Sequence, residues 1–285
     1  MAGTKPTLRR RQLALRLREL RLESGMTAEE VATQMLCSPT KVSRMETGQR
    51  GVSLSDVREL CRIYGISGQP LAAQLMALAK EARQPGYRQE WSDFSPSLDT
   101  HVDLETSARL ICEFQPAYIP SLLQTEDYAR TLIRQVLPRI TPTTLEQRLH
   151  ARMERQKRLT EPDPPRYWAL VDEAVLLRTV GSDEIMRAQL EHLLEMAELS
   201  HVTVQIIPFT VGAYMCLDNP FVFFDLGEPM MPAAVYVELA VRGEYLEKPD
   251  EVSTYREAVD RIRASGLDPQ ASKNRIAARI RELPN

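Results

Sequence analysis

Arg44 is the side chain in this sequence best equipped for a specific polar contact, because its guanidinium is a planar fork of donors matching the O6 and N7 acceptors of a guanine edge. Thr40, Lys41 and Ser43 stand beside it, and Gln49 and Arg50 follow within six residues. At that spacing the hydroxyls and the ammonium suit nucleic acid: Thr40 and Lys41 for base edges or phosphates, Ser43 for a phosphate. The competing reading is a solvated face that touches nothing. Agreement among the caps, the turn length and the surface chemistry described next weighs against it.

Two short helices must hold these groups. Thr27 is an N-cap candidate, and Glu30 three residues later completes a capping box. Val31, Ala32 and Met35 then mark an inward face. A second start follows at Ser38, with Pro39 at the first helical position, where its missing N–H leaves nothing unsatisfied. Val42 and Met45 turn inward from there, leaving Thr40, Lys41, Ser43 and Arg44 outward, and Gly48 sits where a helix end favours a left-handed residue. Only Leu36 and Cys37 separate the two helices, so they must cross steeply, as in a helix-turn-helix able to enter a major groove.

Thr27 to Gly48, with Val52 to Ile66 behind it, resembles the XRE family of lambda-repressor-type regulators. The shared marks are Ala32, Val42 and the run Met45 to Gly48, where the family has a hydrophobic residue, glutamate, any residue and glycine. The resemblance implies an N-terminal all-α, five-helix domain with Pro39, Thr40 and Arg44 at base-reading positions, and a loop from Gln49 in which Arg50 meets the DNA backbone. The sequence departs at Ala28, where many members have a phosphate-holding glutamine, and at Leu36, where the turn usually has glycine. The candidate DNA-binding set is Thr27, Ser38, Pro39, Thr40, Lys41, Ser43, Arg44, Gln49 and Arg50.

Charge distribution points the same way. Residues 1–80 hold 13 lysines and arginines against 7 aspartates and glutamates, a net of +6, and the rest of the 285-residue chain holds 23 against 32, a net of −9. A basic head on an acidic body fits a nucleic-acid-binding module joined to a regulatory one. No stretch approaches the roughly 20 apolar residues of a bilayer span, and no signal-peptide pattern opens the chain. Cys37, Cys61, Cys112 and Cys216 are scattered in apolar contexts and His101, His150, His192 and His201 are dispersed. This spacing predicts reduced, buried thiols in a cytoplasmic protein with neither metal nor cofactor.

Along the chain, Thr4 to Arg11 reads either as a flexible arm or as a helix turn with solvated charges. Leu13, Leu17 and Leu20 then line a first helix on which Arg16, Arg18 and Arg21 offer further phosphate contacts. Helices from Leu54 to Tyr64 and Pro70 to Arg83 close a head domain over 1–83. The Pro-, Ser- and Asp-rich 84–103 reads as a linker, pinned by Tyr87, Trp91 and Phe94. Over 104–285 the pattern predicts an α+β domain with a mostly antiparallel sheet flanked by helices. Its helices include Leu104 to Cys112, one capped by Thr125, one capped by Thr144 and running from Leu145 to Leu159, and one from Ser182 to Leu199. Two more, Glu251 to Ser265 and Asp268 to Leu283, form the tail, and the strands lie in RYWALVDEAVLL, HVTVQIIPF, FVFFDL, AVYVEL and GEYLEK.

The blocks IPSLLQTEDYA, ARMERQKRL, DEAVLLRTVGS, MRAQLEHLLEMAE, VTVQIIPF, FVFFDL and VYVEL resemble, in order, the C-terminal domain of an actinobacterial group of XRE regulators described as toxin–antitoxin-like. Ser121 replaces the glycine usual in that group's P-G-L-L-Q-T. The resemblance implies a pleiotropic regulator of development or antibiotic production, modified by a short partner protein encoded nearby. Two other classes compete with this reading. Carboxylate pairs such as Asp172 with Glu173, or Asp218 with Asp225, lack a supporting histidine, lysine or nucleophile, which argues against an enzyme. Phe209, Tyr214, Phe221, Phe223 and Phe224 could instead line a small-molecule pocket of a ligand-sensing regulator. The reading that agrees with most features is a sequence-specific transcription factor that binds double-stranded DNA as a homodimer.

Overall fold

The computed structural model describes residues 8–82, 96–228, 231–238 and 243–284. The chain divides into two units, Met1–Asp103 and Leu104–Asn285.

In the first unit, residues 8–82 form α1 (Leu8–Glu23), α2 (Ala28–Gln34), α3 (Pro39–Glu46), α4 (Leu54–Ile63) and α5 (Pro70–Glu81). Leu13, Leu17 and Leu20 of α1 bury one stripe at i, i+4, i+7, and Val31, Ala32, Val42, Met45, Val57, Leu60 and Leu75 complete the core. Burying each larger aliphatic side chain here contributes about 1.5–3 kcal/mol. Arg9, Arg10 and Arg11 lie inside α1, which starts at Leu8, so the helical alternative holds there rather than the flexible arm, while Thr4 to Thr7 lie outside the described residues. Arg9 reaches Glu81 at the end of α5 (3.1 Å), fixing this first turn.

The expected linker is corrected in part. Residues 84–95, with Tyr87, Trp91 and Phe94, lie outside the described residues, but Pro96–Ser107 is a helix, α6. Thr100, Val102 and Leu104 are buried, so a stretch that is polar in composition has an inward face. The helix expected from Leu104 to Cys112 stops at Ser107, and Leu110–Gln115 is the strand β1. Five of its six residues are buried, and a short run buried on both faces cannot be told from a helix segment by periodicity.

The second unit continues with α7 (Glu126–Val136), α8 (Pro142–Gln156), β2 (Arg166–Asp172), α9 (Glu173–Leu177), α10 (Asp183–Met196), β3 (Val202–Ile207), β4 (Phe221–Glu228), β5 (Met231–Glu238), β6 (Gly243–Leu246), α11 (Pro249–Ser265) and α12 (Pro269–Glu282). Thr141, not Thr144, caps α8: Pro142 takes the first helical position and the Thr141 hydroxyl accepts from the Thr144 N–H.

The six strands run in the order β3-β2-β1-β4-β5-β6. β1 pairs parallel with β2, and β2 parallel with β3, while the β1–β4, β4–β5 and β5–β6 pairs are antiparallel. The sheet is therefore mixed rather than mostly antiparallel. The physical reason is the placement of α7 and α8 between β1 and β2, and of α9 and α10 between β2 and β3, since helical crossovers return the chain in the same direction. On one face Cys112, Phe114, Leu170, Phe221, Phe223 and Val235 pack against Val252, Ala258, Val259 and Ile262 of α11. By strand alternation the other face carries Ile111, Glu113, Tyr167 and Phe224. The free edge of β3 is closed by the Leu267 N–H on the Ile206 carbonyl and by Ser272 Oγ, which accepts from the Ile206 N–H.

Candidate nucleic-acid interface

The two capped starts form as their side chains dictate. Thr27 Oγ1 accepts from the Glu30 N–H (3.2 Å), and the Glu30 carboxylate accepts from the Thr27 N–H (2.8 Å). Ser38 Oγ accepts from the Lys41 N–H (3.2 Å), with Pro39 opening α3. Thr27 and Ser38 thus have polar atoms engaged in capping.

Between these helices the chain closes α2 by two bonds, Cys37 N–H to the Ala32 carbonyl and Leu36 N–H to the Thr33 carbonyl. This Schellman pattern requires a left-handed residue, here Leu36 at φ +52° with 94% of its surface exposed. At the corresponding turns after α1 and α4 the residue is glycine, Gly25 and Gly65, both at φ +70°.

Val42 and Met45 bury the inner face of α3, and Pro39, Thr40, Ser43 and Arg44 are exposed on its outer side. Gln49 and Arg50 are exposed in the following loop. The Arg50 N–H donates to the Arg44 carbonyl (2.9 Å), so the loop folds back over the end of α3 and fixes where Arg50 starts relative to Arg44. Among the described residues, the Arg44 and Arg50 guanidiniums have neither a carboxylate partner nor a hydrogen-bond acceptor.

Lys41 differs from its neighbours. Its Nζ lies 2.7 Å from Asp56 Oδ1 in the first turn of α4, and the side chains are 23% and 19% exposed. Asp56 Oδ2 also accepts from the Ser53 hydroxyl (2.8 Å) and N–H (3.3 Å). Burial opposes the Asp56 charge, but the hydrogen bonds from Lys41 and Ser53 outweigh it and hold the carboxyl below the usual aspartate range. The sequence suggested a cap role for Asp56 but carried no sign that Lys41 would turn to it.

Two arginines suggested as phosphate contacts are engaged within the fold. Arg21 grips Glu46 with Nε and Nη2 (2.7 and 3.0 Å) and donates to the Met26 carbonyl (2.9 Å). Arg16 pairs with Glu19 and Glu23. Arg18 is exposed.

In the second unit the aromatic residues considered as a pocket do not line one cavity. Phe221 and Phe223 are buried against α11, with Phe221 5.7 Å from Phe114 and 5.0 Å from Tyr255, while Phe224 belongs to the opposite face and Phe209 is exposed. Asp172 caps α9 by accepting from the Ala174 N–H and also takes a hydrogen bond from the Tyr214 hydroxyl. Glu173 accepts from the Phe209 N–H and pairs with Arg275. Cys61 and Cys112 are buried, whereas Cys37 and Cys216 are only half-buried, because each follows or occupies a left-handed turn at the surface.

No motif in the sequence marks a buried polar group that lies beside α8. Tyr167 donates to Glu113 (2.7 Å), Gln115 donates to the same carboxylate (3.1 Å), and Arg155 pairs with Glu105 (2.8 Å through Nε). Arg152 donates to Gln124 (2.6 Å), and burial pulls its guanidinium down to about 10. Gln124 and Thr125 of the LLQT run tie it to its neighbours: Gln124 donates to the Ile119 carbonyl, and the Thr125 N–H donates to Gln189 of α10. A glutamate at the centre of the apolar LICEFQ was the one available signal.

Comparison with known families places both units. Residues 12–74 match a family described as a helix-turn-helix domain, covering the helices that carry Arg44. Residues 98–278, more than half of the chain, match a domain of unknown function, DUF5753. The chain belongs to the DUF5753 family. The DUF5753 region takes in the whole mixed sheet and Arg152 and Arg155 of α8, and the helix-turn-helix region precedes it. No curated protein and no solved structure matches the chain.

Proposed function

We propose that this protein is a sequence-specific DNA-binding transcriptional regulator. The observation that carries the reading is the outer face of α3, where exposed Arg44 stands with Thr40 and Ser43 while Val42 and Met45 anchor the helix from behind. The helix-turn-helix match and the +6 charge of residues 1–80 support it. In this reading Arg44 reads a guanine in the major groove and Arg50 holds a flanking phosphate. The protein acts in the cytoplasm as a homodimer on pseudo-palindromic sites whose halves lie about 34 Å apart, one helical turn. No described helix is long and apolar enough to cross a membrane. The DUF5753 region serves as the regulatory half: its net charge of −9 over residues 81–285 suits a short partner protein, encoded nearby, that modifies repression in an antitoxin-like manner. Selection of bound sequences from random duplex DNA by the full chain tests the reading. An enriched inverted motif supports it, and salt-sensitive binding with no enriched motif overturns the sequence-specific part.

A further inference from the structure

Lys41 is flanked in α3 by the exposed Thr40, Ser43 and Arg44, and its ion pair with Asp56 ties α3 to the first turn of the helix that follows the exposed loop of Gln49 and Arg50. Both side chains remain partly accessible to solvent. An ammonium held at 2.7 Å by a carboxylate offers a phosphate no net charge. The carboxylate in turn is held by Ser53 through two hydrogen bonds, so Asp56 is fixed in place and does not swing away when Lys41 is drawn elsewhere.

We propose that Asp56 is an electrostatic brake on DNA binding: it withholds the Lys41 ammonium from the phosphate backbone and lowers affinity for every duplex alike, leaving recognition to the base-reading side chains. This inference rests on the DNA-binding reading of α3. The brake weakens the sequence-independent share of binding, the share that would otherwise hold the protein on non-cognate DNA. Arg44 and Arg50, with no carboxylate partner among the described residues, keep their full charge at the same face.

A charge series on the full-length protein tests this, with affinity for a selected site and for a random duplex measured across salt. Asp56→Asn keeps an oxygen to accept from Ser53 and frees Lys41, bringing the pair from neutral to +1. Binding to both duplexes should tighten several-fold, and the slope of log affinity against log salt should steepen by about 0.9, one phosphate's worth. Adding Lys41→Met to Asp56→Asn restores neutrality and should return affinity and slope to wild-type values. Lys41→Met alone leaves the α4 cap whole and brings the pair to −1, so it should weaken binding to both duplexes and flatten the slope by a similar amount. Asp56→Gln, a residue the capping box also takes at this position, should tighten binding as Asp56→Asn does and decides the matter if Asp56→Asn fails to fold. Wild-type affinity and slope after neutralising Asp56 would overturn the brake, whatever Lys41→Met does, and leave Asp56 as a structural tie. A gain that persists when Lys41 is also methionine would overturn the route through Lys41. A wild-type protein that binds neither duplex at any salt would instead sink the DNA-binding reading itself.

Discussion

The Arg21 guanidinium holds both carboxylate oxygens of Glu46, joining α1 to the last turn of α3 across 25 residues of sequence. The side chains are only 13% and 7% exposed, and their hydrogen bonds raise the Arg21 pKa above its ordinary value. The Glu46 contact orients α3 from its C-terminal end while Ser38 fixes its start. Removing one partner of such a pair leaves an uncompensated buried charge, so Glu46→Ala should lower stability by about 3–5 kcal/mol. Arg16, paired with partly exposed Glu19 and Glu23, is the control: Arg16→Ala should cost no more than about 1 kcal/mol. Denaturant unfolding of the two variants checks the contrast, and equal losses would refute it.

Arg44→Ala should weaken binding to the selected site by about 1–3 kcal/mol and blur discrimination at one base position. Arg50→Ala, removing a phosphate contact, should weaken all duplexes evenly and reduce the salt slope by about 0.9. Competition binding with single-position site variants separates the two outcomes. If Arg44→Ala kept the wild-type base preference, Arg44 would not be the reading residue.

Leu36 is held left-handed where Gly25 and Gly65 occupy the matching turns, and it buries almost nothing in return. A side chain in that conformation costs roughly 1–2 kcal/mol. Leu36→Gly relieves this cost but adds freedom to the unfolded chain worth roughly 0.5–1 kcal/mol. The net expectation is a gain of about 0.5–1 kcal/mol, whereas Leu36→Ala, which keeps a Cβ, should gain little. Thermal unfolding midpoints of the three proteins decide it; a less stable Leu36→Gly would mean the exposed leucine makes a contact of its own.

Burial, reinforced by the Glu113 charge, raises the Tyr167 hydroxyl well above its usual 10, and burial raises Tyr236 to about 12. A raised folded value means stability that is complete below the unfolded value near 10 and is lost as pH rises through the folded one. The second unit should therefore lose stability between pH 10 and 12 and beyond, because unfolded tyrosines ionise there and folded ones do not. Tyr167→Phe should make that alkaline decline shallower while lowering stability at pH 7, where Glu113 loses a donor. An unchanged alkaline limb in the variant would refute the assignment.

What the sequence determined by itself lies within four residues of chain. The starts at Thr27, Ser38 and Ser53, the proline opening α3, the left-handed Gly48 and the outward placement of Arg44 follow from side chains that bond to, or exclude, backbone groups next to them. The blocks resembling an XRE-type regulator were legible for the same reason, since they record local geometry. Tertiary structure decided which charges stay free. Lys41 and Arg44 look alike in sequence, yet helix crossing brings Asp56 to one and no carboxylate among the described residues to the other. It also decided the sheet: LICEFQ becomes a central strand only because β2 and β4 supply partners on both sides, and that pairing turns an apparently antiparallel set into a mixed one. Periodicity reports which faces are apolar, whereas strand order and ion pairs depend on distances that close only when the whole chain has packed.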